Sequence, residues 1–210
     1  MATTKQPTTG GRRIPVLGLA FGAIAALLIA AVLLGGNTSA DGPQFGNPTV
    51  EGQLPLFPPD VAVDTSASGL EAPTIVGEDW DGNEVAIRDD GRAKAIVFLA
   101  HWCPHCQREV PKVQAWLDGG GGVEGVDLYS VATSINSARP NYPPSAWLER
   151  EGWTVPVIRD DADNSALIAY GAGPFPYWVF VNADGTVALR TAGSLEIDQL
   201  VQILSSLDRG

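Results

Sequence analysis

Residues 95–100, Ala-Ile-Val-Phe-Leu-Ala, run almost directly into Cys103-Pro104-His105-Cys106, and any fold must accommodate both segments at once. An unbroken apolar run of this length suits a strand covered on both faces, as in a parallel or mixed sheet between helices. Pro104 is tolerated in a helix only in the first turn, where its missing N–H would have no partner. The sequence therefore predicts a buried strand that hands over to a helix at the cysteines. That helix, over about residues 104–118, stops at Gly119-Gly120-Gly121-Gly122, any of which can take a left-handed C-terminal turn.

The surrounding pattern extends this to a mixed α/β sheet. Residues 74–76 and 84–87 flank Asp81-Gly82, a hairpin signal. Further strands are expected at 126–132, 155–158, 177–181 and 187–190, the last two joined at Asp184-Gly185. Short helices are expected at about 143–151 and 163–170. A final helix is expected behind Ser194, with Leu195, Leu200, Ile203, Leu204 and Leu207 as its apolar stripe. The order is β-β-β-α-β-α-β-α-β-β-α, with no internal repeat.

Ahead of this domain, residues 71–210, three shorter parts are expected. Residues 1–13 carry Lys5, Arg12 and Arg13 and no acid. Residues 14–34 are 21 uncharged, mostly apolar residues, enough for a helix of about 30 Å, the thickness of a bilayer's hydrocarbon core. The basic flank places the N-terminus in the cytoplasm and the rest outside, as a single-pass cell-membrane protein. The alternative is a cleaved signal peptide ending near Thr38-Ser39-Ala40, although its apolar core would be shorter than this run. Either way the domain is exported. Residues 35–70 hold five Pro and six Gly, with no Lys, Arg or apolar period, and read as an extracytoplasmic tether. Within it, Leu54 to Phe57 read as an apolar patch of the tether rather than a docked segment.

The chain of 210 residues has 13 Lys and Arg against 24 Asp and Glu. Past residue 40 that leaves ten bases against all 24 acids, a net of −14, which disfavours a nucleic-acid partner. Two cysteines also exclude a disulfide-dense framework and an all-cysteine zinc site.

Both cysteines lie at the expected helix N-terminus. Unpartnered N–H groups and the helix dipole favour a thiolate on Cys103 there, and the thiolate is the form that attacks disulfides. Cys106, a turn further in, is placed to resolve the mixed disulfide. A staple is the competing reading, but a four-residue loop restricts the unfolded chain by only about 2 kcal/mol, against about 3 for fifteen residues. A metal is not expected: Cys103, Cys106, His101 and His105 are the complete set of Cys and His, all within six residues. Gln107 after Cys106 excludes the C-x-x-C-H haem attachment sequence.

The segment 98–106, with Trp102 before the dithiol, resembles the active-site segment of the thioredoxin superfamily, and the resemblance covers about residues 71–208. The hairpin at 72–82 and the run Cys106-Gln107-Arg108-Glu109-Val110-Pro111 are similar to the membrane-anchored TlpA/ResA-like branch, whereas Pro104-His105 is the dipeptide of DsbA-like oxidants. The resemblance implies a thioredoxin-like fold: a central mixed sheet flanked by helices, an N-terminal hairpin, and one transmembrane helix ahead. It implies that Pro176 is a cis-proline facing the dithiol and that Phe175 presents its backbone to an extended substrate. It implies that Glu109 tunes proton transfer or thiol acidity, the alternative being a solvated glutamate. His105 is expected to stabilise the Cys103 thiolate, and Trp102 to pack beside it. His101 is expected to be a partly exposed polar residue. Thioredoxin's buried Asp six residues before the first cysteine is here Val97, so Glu109 or water must take that part.

The expected function is thiol–disulfide exchange with cysteine-containing exported clients, without a cofactor, through a membrane redox partner. A reductase, serving for example apocytochrome c, is expected ahead of a DsbA-like oxidase. A non-catalytic thioredoxin-fold interaction module is the remaining class. The sequence is silent on oligomeric state.

Overall fold

The computed structural model describes residues 1–2 and 42–210. The expected tail and anchor, residues 1–13 and 14–34, lie almost wholly outside the described residues. Among those described, no helix is long and apolar enough to cross a membrane.

Among the described residues, nine strands and four helices follow in chain order. They are β1 (Thr49–Glu51), β2 (Val63–Asp64), β3 (Thr74–Glu78), β4 (Glu84–Ile87), β5 (Ala93–Leu99), α1 (Pro104–Asp118) and β6 (Val126–Ala132). Then come α2 (Pro144–Arg150), β7 (Val157–Arg159), α3 (Ser165–Ala169), β8 (Tyr177–Val181), β9 (Val187–Ala192) and α4 (Ile197–Ser206). From β3 onward this is the expected order. The main sheet runs β2-β9-β8-β5-β6-β7. In it β5 is parallel to β6 and antiparallel to β8. A second sheet, β1-β3-β4, carries the hairpin around Asp81-Gly82.

The central position of β5 explains its continuous apolar run. Its alternate residues feed two cores, one on each face of the sheet. Ile96 and Phe98 join Ile75, Tyr170, Tyr177 and Val179 on one face. Ala95, Val97 and Leu99 join Cys106, Val110, Val113 and the α4 leucines Leu200 and Leu204 on the other. α1 starts at Pro104, runs through Pro111 and ends at Gly119. α4 is capped by Glu196 rather than Ser194. Glu196 and Gln199 satisfy each other's end groups, which places the first turn two residues later than expected.

The largest departure concerns residues 42–70, expected to be a tether. They form a strap packed on the domain. β1 pairs with β3 and β2 with β9. Leu54 and Ala67 are buried in the core opposite α1. The Leu54 and Phe57 N–H groups donate to the carbonyls of Ala169 and Gly171 at 2.7 Å each. Gly171 has φ 98, and a Cβ there would collide with Arg190 and the Pro55 carbonyl, so the strap lies where only glycine fits. Asp64 and Arg190 form a buried ion pair at 2.5 Å, and Arg190 also donates to the carbonyls of Pro55 (2.8 Å) and Tyr170 (3.2 Å). The strap is held by isolated anchors rather than a periodic face, which is why its sequence shows no period.

Candidate active site

The end of β5 and the start of α1 position the two cysteines. Cys103 is the N-cap of α1, with extended backbone (φ −76, ψ 120). Its N–H donates to the Ala100 carbonyl at 2.9 Å and its carbonyl accepts from Gln107 N–H at 3.0 Å. Both thiols are reduced. Cys103 keeps 7% of its surface exposed; Cys106 has 0% and packs among Val97, Leu99 and Val110. One sulfur thus has a narrow opening to solvent and the other lies behind it.

Their acidities diverge accordingly. A hydrogen bond from the Cys106 thiol lowers Cys103 to about 5; burial opposes this, and the N–H groups of Cys106 and His105 reinforce it. Burial pushes Cys106 well above an ordinary thiol, helped by its hydrogen bond to Cys103 and by the Cys103 and Glu109 charges. Alkylation of the reduced protein by iodoacetamide, followed by mass spectrometry, is expected to modify Cys103 alone. Its rate should have a midpoint at about pH 5, with the full rate above it and a loss of about tenfold per unit well below, as the thiolate is protonated.

The dithiol faces the loop before β8. The Phe175–Pro176 bond is cis, and the Cys103 thiol lies 3.7 Å from the Phe175 carbonyl oxygen. Trp102 is half-buried. Its indole N–H donates to the Ser134 carbonyl at 2.7 Å, and its ring meets Phe175 edge-on at 6.1 Å. Arg139 lies over the other part of this surface, 4.7 Å from the Trp102 ring centroid.

Three further residues take surroundings that only the structure shows. The His105 ring is exposed and turned to Arg108, whose guanidinium meets its Nδ1 at 2.9 Å; His105 reaches the Cys103 sulfur through its backbone N–H. Glu109 is buried at 1% exposure, not on a solvated face. It accepts from the Leu195 N–H at 3.1 Å and pairs with Lys112 at 3.0 Å. Lys112 also donates to the Leu195 carbonyl, fastening α1 to the segment ahead of α4.

His101, expected to be partly exposed, is buried. Its Nδ1 lies 2.7 Å from the Pro140 carbonyl and its Nε2 accepts from the Asn136 N–H at 3.2 Å. With Nδ1 as donor the ring is neutral, in keeping with the lowering of its pKa by burial. His101 therefore pins the 134–142 loop that carries Arg139 beside Trp102. No local sequence signal marks this, because its partners lie 35 and 39 residues away. Among the described residues no group of three or more His, Cys, Asp or Glu could hold a metal ion.

This arrangement has relatives. Residues 67–204 match the Redoxin family. The chain is 30% identical over 142 residues to thiol-disulfide oxidoreductase ResA of Geobacillus thermodenitrificans, covering 67% of this chain and 78% of that protein. Two solved structures share the fold. A DsbF homologue from Corynebacterium diphtheriae has a TM-score of 0.57 at 16% identity, covering 74% of this chain and 100% of that one. A thiol:disulfide interchange protein DsbE from Chlorobium tepidum has 0.54 at 20%, covering 66% and 96%. With a thioredoxin-like sheet, a reduced Cys-Pro-His-Cys pair of divided acidity and this match over most of its length, the chain belongs to the Redoxin family, as a thiol–disulfide oxidoreductase.

Proposed function

We propose that the chain is a membrane-tethered, extracytoplasmic reductase of disulfides in exported proteins, an apocytochrome c being the expected kind of client. The observation that carries the reading is the placement of the Cys103 thiol, acidified at a helix mouth and 3.7 Å from the Phe175 carbonyl, with Cys106 buried behind it. An extended client segment pairs with the Phe175 backbone at the Pro176 loop, bringing its disulfide onto the Cys103 sulfur. The Cys103 thiolate attacks one client sulfur, forming a mixed disulfide and releasing the other as a thiolate. Cys106 then gives up its proton and attacks the Cys103 sulfur. The Cys103–Cys106 disulfide forms and the second client thiolate leaves. Two electrons pass to the client; one client thiolate takes up the proton that Cys106 gives up, and the other takes its proton from solvent. Glu109, buried on the Cys106 side, takes part in that proton transfer. The two sulfurs carry the electrons, so no cofactor is needed. Residues 14–34 hold the domain at the membrane, where a transmembrane dithiol donor reduces it again.

A second reading, an oxidase, is favoured by one observation. A Cys103 thiol lowered to about 5 stabilises the reduced form and makes the couple more oxidising. Equilibration with glutathione separates the two. A potential below about −250 mV is expected for the reductase, and one near −120 mV would overturn it in favour of the oxidase.

A further inference from the structure

The domain is strongly acidic, yet its dithiol is bordered by cations. Of the ten Lys and Arg past residue 40, Arg92, Lys94, Lys112, Arg159 and Arg190 are held in ion pairs. Of the other five, Arg88, Arg108, Arg139, Arg150 and Arg209, two are at the site: Arg108 against His105, between the cysteines, and Arg139 on Trp102. The segments that border Cys103, residues 101–108, 134–142 and 173–176, contain no Asp or Glu. Arg139 is exposed and its guanidinium carbon lies over an indole that itself meets edge-on Phe175, whose carbonyl faces the Cys103 sulfur. Its loop is fixed from below by His101, through Asn136 and Pro140 on either side. A cation stacked on an aromatic ring keeps its edge N–H groups free for a carboxylate.

We infer that Arg139, presented on Trp102, selects client segments that carry a carboxylate side chain beside the reacting cysteine. This rests on the exchange reaction proposed above and adds the chemistry of the client. The net charge of the domain works the other way at long range, but at physiological salt fields decay over about 8 Å, so the groups at the contact decide. Arg139 is then a specificity residue: it touches the client, not the sulfurs.

The test uses two peptide disulfides, identical except for Asp or Lys next to the cysteine, reduced by the wild type, Arg139→Ala and Arg139→Glu at about 0.15 M salt. An Asp neighbour makes its own sulfur a poorer leaving group, so the Asp-to-Lys rate ratio is compared between proteins rather than read alone. The ratio is expected to fall about 5-fold from wild type to Arg139→Ala and further in Arg139→Glu. The pH midpoint of Cys103 alkylation should be the same in wild type and Arg139→Ala. A ratio unchanged between these two proteins would overturn the assignment while leaving disulfide exchange intact. A shift of the alkylation midpoint that accounts for the rate change would also overturn it, since Arg139 would then act on the thiolate. If neither peptide is reduced by the wild type, the exchange reading falls and this inference with it.

Discussion

Cys103→Ser is expected to abolish client reduction, by roughly a thousandfold or more, while Cys106→Ser accumulates the client as a mixed disulfide. The two outcomes differ because the sulfurs are unequal. Cys103 has the opening to solvent and the lowered pKa; Cys106 is buried with a raised one. Replacing Cys103 removes the only ionised sulfur at neutral pH, so no attack begins. Replacing Cys106 leaves the first attack in place and removes the second, so the adduct persists until an outside thiol releases it. Non-reducing gels with a client bearing one disulfide read both results. The Cys106 variants add a control. A serine hydroxyl keeps a donor facing the Cys103 sulfur, whereas Cys106→Ala removes it. The alkylation midpoint should therefore stand higher in the alanine variant than in the serine variant. An adduct formed equally through either cysteine would defeat the assignment of nucleophile and resolving thiol.

The parts of this site that were readable in the sequence are those made by neighbours in the chain. Pro104 at the start and four glycines at the end delimit α1, and the uninterrupted run ahead of it marks the central strand. Strand β8 falls on the expected residues because a strand buried on both faces reads as continuous apolar sequence whatever its partner; β6 also falls where expected, although Asp127 and Ser130 interrupt its apolar residues and its first half is only partly buried. What could not be read depends on distant partners. His101 is a polar residue between an apolar strand and a tryptophan until Asn136 and Pro140 close over it. Glu109 at its helical position is equally compatible with a solvated face; Lys112 and the segment before α4 bury it. The strap failed for the same reason on a larger scale. Two short strands, three buried apolar side chains and one aspartate hold it, and none of these sets up a period. Arg190 carried a hint of its own, as a lone arginine in a strand otherwise written in apolar and small residues, but its partner lies 126 positions away.

That pair supports the second large expectation: Arg190→Ala should cost about 3–5 kcal/mol of folding stability, because it leaves the Asp64 carboxylate buried without its cation. At the size of this domain such a loss lowers the melting temperature by about 6–20 °C. Burial works to raise the Asp64 pKa, but hydrogen bonds from Ser66 and Arg190 prevail and hold it below the ordinary carboxylate value. The stability it contributes is thus present above about pH 4 and is lost as the pH falls through its lowered folded value. Replacing both partners by apolar residues, Arg190→Met with Asp64→Leu, should recover part of the loss. Recovery should be incomplete, because the guanidinium also satisfies the buried carbonyls of Pro55 and Tyr170. The strap and Arg190 lie on the face of the main sheet that receives Ile96 and Phe98, whereas the dithiol lies on the face that receives Val97 and Leu99. Below its melting temperature, Arg190→Ala should therefore expose residues 42–70 to limited proteolysis while leaving the pH midpoint of Cys103 alkylation in place. Urea titrations, cleavage mapping and alkylation on the same preparation separate the two faces. A stability change under about 1 kcal/mol would mean that the pair contributes no more than an exposed one.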